Sequence, residues 1–375
     1  MLSPGASSSL LVVAGEASAD AHGARVVECL KKDLPRVECF GLGRERLARA
    51  GLESVADPDA LRVVGISEAL RGLPKIRRVF KRVIRAVEER NPSAALLIDL
   101  PDFNLRLARK LKQRGIPVVY YVAPQAWAWR RGRVRQLRRR VHRLCVVFPF
   151  EEEFFQSHGV PAEFVGHPLT EEQLSPLQPE PDRVAIVPGS RPREIERLLP
   201  ALAGAARILK DQNPDLEFVL PLASGIDRGR VGELLDAAGV EAGLVPGGAL
   251  QVVPGSRLAL AASGTATLEC ALAAVPMVVV YRVSRTTYLL VRPIYRLPYV
   301  CIVNILAGRR VVPELLQGRV NPESIARAAL PLLQDGRERE DMQAGLREVA
   351  QSLKSGRRPS ERVAAVLAGL LGGGS

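Results

Sequence analysis

Asp99 closes the apolar run Ala94–Ile98. A carboxylate at the end of a buried strand is costly unless it is paired or put to use. Asp99 therefore reads as a candidate general base, and Asp102, with Asn104 as the alternative, as the cap of a helix expected to begin near Leu105. A second acid, Glu16, lies in Ala14-Gly15-Glu16-Ala17-Ser18-Ala19-Asp20, directly after the first apolar run. Ser18 and Asp20 have the chemistry of caps, whereas Glu16 has no evident structural need. The segment is not GxGxxG, which argues against a dinucleotide cofactor.

Two further loops suit anions. Ser263-Gly264-Thr265-Ala266-Thr267-Leu268-Glu269 follows an apolar run and opens a helical pattern. The first N–H groups of a helix lack internal partners, and its dipole favours negative charge, so such an end holds phosphate. Glu269, one to two turns on, is placed to meet a ribose diol; a serine cap with nothing bound is the competing reading. Pro188-Gly189-Ser190-Arg191 repeats the arrangement, with Arg191 offering a planar fork to a diphosphate. The alternative there is a surface turn capped by Ser190.

Tyr120–Arg130 contains Gln125 and both tryptophans, Trp127 and Trp129. An arginine-rich helix is expected from Arg130 to Arg143. Upstream, Pro74–Glu88 places Ile76, Val79, Phe80, Val83, Ile84 and Val87 at helical spacing, with Lys75, Arg77, Arg78, Lys81, Arg82 and Arg85 between them. Such a helix fits a membrane surface, or it buries the stripe in its own domain. The four histidines show no metal-ligand spacing, and the five cysteines form no CxxC pair, so no metal site and no disulfide framework is expected.

These residues need a scaffold. Leu10–Ala14, Glu38–Gly41, Ala94–Asp99, Val118–Val122 and Leu144–Phe148 read as buried parallel strands, as do Val184–Val187, Leu216–Leu220, Leu258–Ala262 and Met277–Tyr281. A helix is expected over Ala21–Asp33 and another over Pro359–Leu371. The pattern is α/β: two doubly wound domains, residues 1–168 and 183–350, joined by a Pro-rich linker at 169–182 and facing a cleft. Residues 351–375 form a helix packing back on the first domain and a disordered tail. Met1–Ser9 has no charged n-region, so it reads as the approach to the first strand and not as a signal peptide. No apolar run is long enough to span a bilayer.

The chain of 375 residues carries a net charge of +13. Residues 62–143 hold 22 Lys and Arg against 5 Asp and Glu, more than the whole excess. Such a field calls for an anionic partner. Nucleic acid is disfavoured: aromatics are 5% and do not alternate with the arginines, and no helix-turn-helix, zinc-finger or RNP pattern is present.

Taken together the motifs resemble those of the lipid-A-disaccharide synthases, inverting glycosyltransferases of family 19. The resemblance rests on AGEASAD (14–20), VGISEAL (64–70), IDLPDFN (98–104), YYVAPQAWAWR (120–130), PFEEEFF (149–155), FVGHPL (164–169), PGSR, SGTATLE (263–269), PMVVVYR (276–282) and NILAG (304–308). Ala19 departs from it, standing where the family usually has Gly. The resemblance implies a GT-B architecture of two Rossmann-like domains. It implies transfer of a sugar from UDP-2,3-diacylglucosamine to the 6-hydroxyl of 2,3-diacylglucosamine 1-phosphate (lipid X) without metal or cofactor. Asp99 and Glu16 are then catalytic; Ser190, Arg191, Ser263, Gly264, Thr265, Glu269 and Asn304 bind the donor; and Ser18, Asn104, Gln125 and Trp127 serve the acceptor or support loops. Further implications are a peripheral place on the anionic cytoplasmic face of the inner membrane and a homodimer. An enzyme of the same architecture using another UDP-sugar is the alternative.

Overall fold

A computed structural model describes residues 8–61, 66–128, 132–172, 180–284, 288, 295 and 297–372, with the backbone alone for 61 and 66–72. The chain divides into two units. Unit 1 comprises Met1–Glu171 and Leu353–Ser375, and unit 2 comprises Glu172–Ser352.

Unit 1 is a seven-stranded parallel sheet. Its strands are β1 (Ser9–Val13), β2 (Glu38–Leu42), β3 (Leu52–Ser54), β4 (Ala94–Ile98), β5 (Val118–Tyr121), β6 (Arg143–Val146) and β7 (Ala162–Phe164), in the order β3-β2-β1-β4-β5-β6-β7. The connecting helices are α1 (Ala17–Asp33), α2 (Glu45–Arg49), α3 (Ile66–Arg90), α4 (Pro101–Gln113), α5 (Gly132–Arg140) and α6 (Pro149–Ser157). β1 and β4 are buried throughout except at Ser9, as continuous apolar strands covered on both faces must be. They pair in register from Leu10↔Ala94 to Val13↔Leu97.

Unit 2 repeats the plan with six parallel strands: β8 (Glu180–Val187), β9 (Glu217–Leu222), β10 (Gly243–Pro246), β11 (Ser256–Ala262), β12 (Met277–Tyr281) and β13 (Glu314–Leu316), in the order β10-β9-β8-β11-β12-β13. Its helices are α7 (Pro192–Gln212), α8 (Arg228–Asp236), α9 (Thr265–Leu272), α10 (Ile302–Ala307), α11 (Pro322–Leu333) and α12 (Arg337–Ser352). The last helix, α13 (Pro359–Gly372), returns to unit 1 and packs on α1. Glu171 caps its start through the Ser360 N–H (2.9 Å) and hydroxyl (2.6 Å), and Arg362 pairs with Glu163 at 2.8 Å.

Several local expectations change. Helix α1 begins at Ala17, so Ser18 and Asp20 lie inside its first turn and cap nothing there. The buried Asp20 carboxylate instead accepts the N–H groups of Arg44, Arg46 and Leu47 at the start of α2. Asp102 does not cap α4, which starts at Pro101; it pairs with Arg133 at 2.8 Å. The arginine helix, described from Gly132, ends at Arg140 and not at Arg143, because the His142 N–H already joins Val118 O at the sheet (2.8 Å); residues 129–131 lie outside the described set. Strand β8 starts at Glu180, inside the expected linker, and residues 168–171 form a 3₁₀ turn of unit 1; the stretch 173–179 between them lies outside the described residues. The tail 373–375 does too.

The stripe of α3 is resolved in favour of the core. Val79, Val83, Ala86 and Val87 are buried in unit 1, with Ile76, Phe80 and Ile84 packed against them. Lys75, Arg77, Arg78, Lys81, Arg82 and Arg85 are all exposed. From Lys75 to Arg85 the helix thus offers solvent a basic face, with the exposed Leu73 just ahead of it, and the stripe from Ile76 to Val87 is not free to insert into a bilayer. Among the described residues, no helix is long and apolar enough to cross a membrane.

Candidate active site

In each sheet the chain reverses direction at one point, between β1 and β4 in unit 1 and between β8 and β11 in unit 2. Ligands of doubly wound sheets bind outside the carboxyl ends of the strands at such a point. The four loops there are Ala14–Glu16, Asp99–Leu100, Pro188–Arg191 and Ser263–Gly264. They are the four segments that carry the acids and the anion-suited motifs.

In unit 1, Asp99 follows β4 with φ +49, and Leu100 follows with φ +46. Two successive non-glycine residues in the left-handed region store strain that the surroundings must hold. The Asp99 N–H remains in the ladder, bonded to Tyr121 O at 3.0 Å. Its carbonyl accepts the Tyr120 hydroxyl at 2.6 Å and the Asn104 amide at 2.8 Å. The half-buried Asp99 carboxyl is pushed up to about 6, first by burial and then by the charge of Glu16; the Leu100 N–H and Arg133 act the other way. Glu16 is the exposed N-cap of α1, and Ser18 is exposed in its first turn. Arg133 is only 13% exposed in its side chain and holds Asp102. The structure therefore gathers Asp99, Glu16, Asn104, Tyr120 and Arg133 in one place.

In unit 2, Ser190 and Arg191 are exposed at the start of α7, and Arg191, not Ser190, is its N-cap. Arg191 pairs with Glu194 at 3.0 Å on the surface. An exposed pair of this kind contributes at most about 1 kcal/mol, so an incoming diphosphate can replace it. Gly189 has φ +114, and a Cβ there would stand 2.6 Å from Glu194 Oε2, which accounts for the glycine. Ser263 donates its N–H to Val280 O at 2.9 Å, and Gly264 is the N-cap of α9, leaving Thr265 exposed at its first turn. The Glu269 carboxyl is raised to about 7 by burial and by Glu172, against an N–H bond from Leu250.

A family profile described as lipid-A-disaccharide synthetase matches residues 10–367. The chain belongs to the lipid-A-disaccharide synthetase family. It is 46% identical over 351 residues to the lipid-A-disaccharide synthase of Myxococcus xanthus, covering 91% of this chain and 92% of the relative. The lipid-A-disaccharide synthase of Geobacter sulfurreducens is 40% identical over 375 residues, with 97% of each covered. In fold, the chain is similar to a putative UDP-N-acetylglucosamine 2-epimerase from Listeria monocytogenes (TM-score 0.65, 16% identity, 99% and 98% covered) and to a glycosyltransferase of kitacinnamycin (TM-score 0.64, 16% identity, 98% and 100% covered). The architecture is thus that of the GT-B glycosyltransferases and epimerases.

Within the family's motifs, Ala19 is buried in the first turn of α1, where alanine suits a helix better than glycine by about 1 kcal/mol. Asn304 does not present its amide to a ligand. Its Nδ2 donates to Val312 O (3.0 Å) and Glu314 Oε1 (2.7 Å), and its Oδ1 accepts Val311 N–H (2.7 Å) and Val312 N–H (2.9 Å). It is a fully engaged tie between α10 and the approach to β13. Gln125 is exposed. Trp127 donates its indole N–H to Glu151 Oε1 at 2.9 Å and meets Phe150 edge-on.

Glu151 was not legible as special, because it is one of three consecutive glutamates. It is 1% exposed, and its Oε2 also takes the N–H groups of Val147 and Phe148 (both 3.2 Å). Burial still raises its carboxyl to about 7, against these three bonds. A carboxyl raised on folding holds its proton longer in the native state. Its contribution is most favourable below the unfolded value and is lost as pH rises through about 7. Between pH 4.5 and 7.5 the protein should therefore lose up to about 3 kcal/mol through this group. Tm measured across that range should fall more steeply for the wild type than for Glu151→Gln.

Proposed function

We propose that this chain joins two acylated glucosamines: UDP-2,3-diacylglucosamine gives its sugar to the 6-hydroxyl of 2,3-diacylglucosamine 1-phosphate, releasing UDP. Asp99 removes the hydroxyl proton as the oxygen attacks the anomeric carbon. The bond to the diphosphate breaks on the opposite face, the UDP takes the electron pair, and configuration inverts. Arg191 and the α9 N-terminus around Ser263, Gly264 and Thr265 offset the charge growing on the leaving group. Glu269 meets the ribose. Asn304 shapes its loop without touching the donor.

The observation that carries this reading is the placing of Asp99 beside Glu16 at the switch point of unit 1, with its carboxyl raised to about 6. A base must be unprotonated to act, so kcat/KM should rise with pH through an inflection near 6 and not near the ordinary carboxylate value of about 4. The test is a detergent-micelle assay of the two lipids, following UDP and the disaccharide by mass spectrometry from pH 4.5 to 8. Equal turnover of a water-soluble UDP-sugar would favour the other-sugar alternative instead.

The same reading places the protein on an anionic membrane surface, using the exposed basic face of α3. Each basic group near such a surface contributes about 1 kcal/mol. A homodimer, if formed by exchange, would swap α13 for its counterpart.

A further inference from the structure

Asp99 is held by its backbone as much as by its side-chain surroundings. In a regular strand its carbonyl would stay in the plane of the sheet. Here the left-handed turn at Asp99 and Leu100 swings that carbonyl away, at a cost of about 1–3 kcal/mol per residue. Two side chains receive it. The Tyr120 hydroxyl donates from β5 at 2.6 Å, and the Asn104 amide donates from α4 at 2.8 Å while also reaching Ile98 O at 3.1 Å. Asn104 is 0% exposed, and among the described residues its Oδ1 has no partner. The two carbonyl acceptors fix which way the amide points, since a flip would set Oδ1 against both oxygens. Tyr120 is fully buried, so its hydroxyl cannot turn to water. Among the described residues, the one hydrogen bond of that hydroxyl is to the Asp99 carbonyl.

We propose that Tyr120 is a positioning residue for Asp99: its hydroxyl, acting with the Asn104 amide, clamps the turned-out Asp99 carbonyl and so fixes the carboxyl beside Glu16. The clamp offsets the strain of the two left-handed residues. Without one donor, the turn relaxes toward the extended conformation and the carboxyl leaves its place. This inference rests on Asp99 being the base.

The test is Tyr120→Phe, which deletes one O–H and keeps the ring. Misplacement of a catalytic group by about 1 Å lowers rate by up to 10². The expected result is a kcat lower by about tenfold or more, KM for both lipids within about twofold, and an acid limb moved from near 6 toward the ordinary carboxylate value. Val83→Ala, in the buried stripe of α3, supplies a variant of reduced stability whose acid limb should not move. Asn104→Asp should act more strongly, because a carboxylate would face two carbonyls; if it fails to fold, Tyr120→Phe still decides. Wild-type kcat with an unmoved limb in Tyr120→Phe overturns the clamp. So does a lowered kcat with an unmoved limb, because the carboxyl would then have kept its surroundings. If Asp99→Asn keeps its turnover, the base assignment falls and the clamp with it; if Asp99→Asn is inactive while Tyr120→Phe matches the wild type, only the clamp falls.

Discussion

Asp99→Asn should lower kcat by about 10² to 10⁴ while leaving the fold intact, the range typical of removing a positioned base. The amide is nearly isosteric, and the backbone bonds to Tyr121, Tyr120 and Asn104 do not involve the side chain. Stability should move the opposite way. Burial and the nearby Glu16 raise the Asp99 carboxyl, so its ionised form is disfavoured in the folded state. The native contribution of such a group is lost as pH rises through about 6. A neutral asparagine escapes that loss, and the variant should melt no lower than the wild type at pH 7. An inactive variant of undiminished Tm would separate chemistry from folding; an active one would remove Asp99 from the reaction.

The second large effect is on folding. Gly41, in β2 beside β1, has φ +145, and a Cβ built there lies 1.9 Å from Val12 O and 2.9 Å from the Val12 carbonyl carbon. Both obstacles are backbone at the centre of a parallel sheet and cannot swing aside as a flexible side chain would. Gly41→Ala should therefore cost about 3 kcal/mol or more, at the upper end of overpacking effects. In a unit of this size that corresponds to roughly 10 °C in Tm. The displaced strand leads straight to Gly15 and Glu16, so residual activity should fall with it. Gly132→Ala is the control, since a Cβ there meets nothing within 4 Å. Equal Tm values for the two variants would mean that β1 and β2 can slide apart without cost.

The central strands were legible in the sequence because each is an apolar run buried on both faces. The strands that escaped notice, β3, β7, β10 and β13, are the two edges of each sheet. They have three or four residues and mixed burial, so no apolar run marks them. Glu16, Asp99 and the SGT and PGSR loops were legible for a related reason: a polar residue directly after a buried strand stands out. Asp102, Asp20 and Glu151 were misread or missed because their partners lie far along the chain. Arg133 is 31 residues from Asp102, Arg44 is 24 from Asp20, and Trp127 is 24 from Glu151. Local pattern cannot tell a cap for the next helix from a cap for another one. Tyr120 was hidden differently: in an apolar run it reads as core, and its hydroxyl bond to the turned carbonyl of Asp99 is seen in the fold alone.

The seat of α13 has a consequence for how the chain is made. A domain at the start of a protein ordinarily folds first, as it leaves the ribosome. Unit 1 cannot complete itself so early, because the helix that buries Val363, Ala364 and Leu367 follows the whole of unit 2 in the chain. Until then the matching side of α1 and the Glu171 carboxylate lack their partners in α13. Unit 2 is contiguous and complete by Ser352. Translation thus finishes unit 2 ahead of the unit bearing Asp99, which is complete only once α13 has been made. Loss of α13 would accordingly strike the unit whose strands are encoded first.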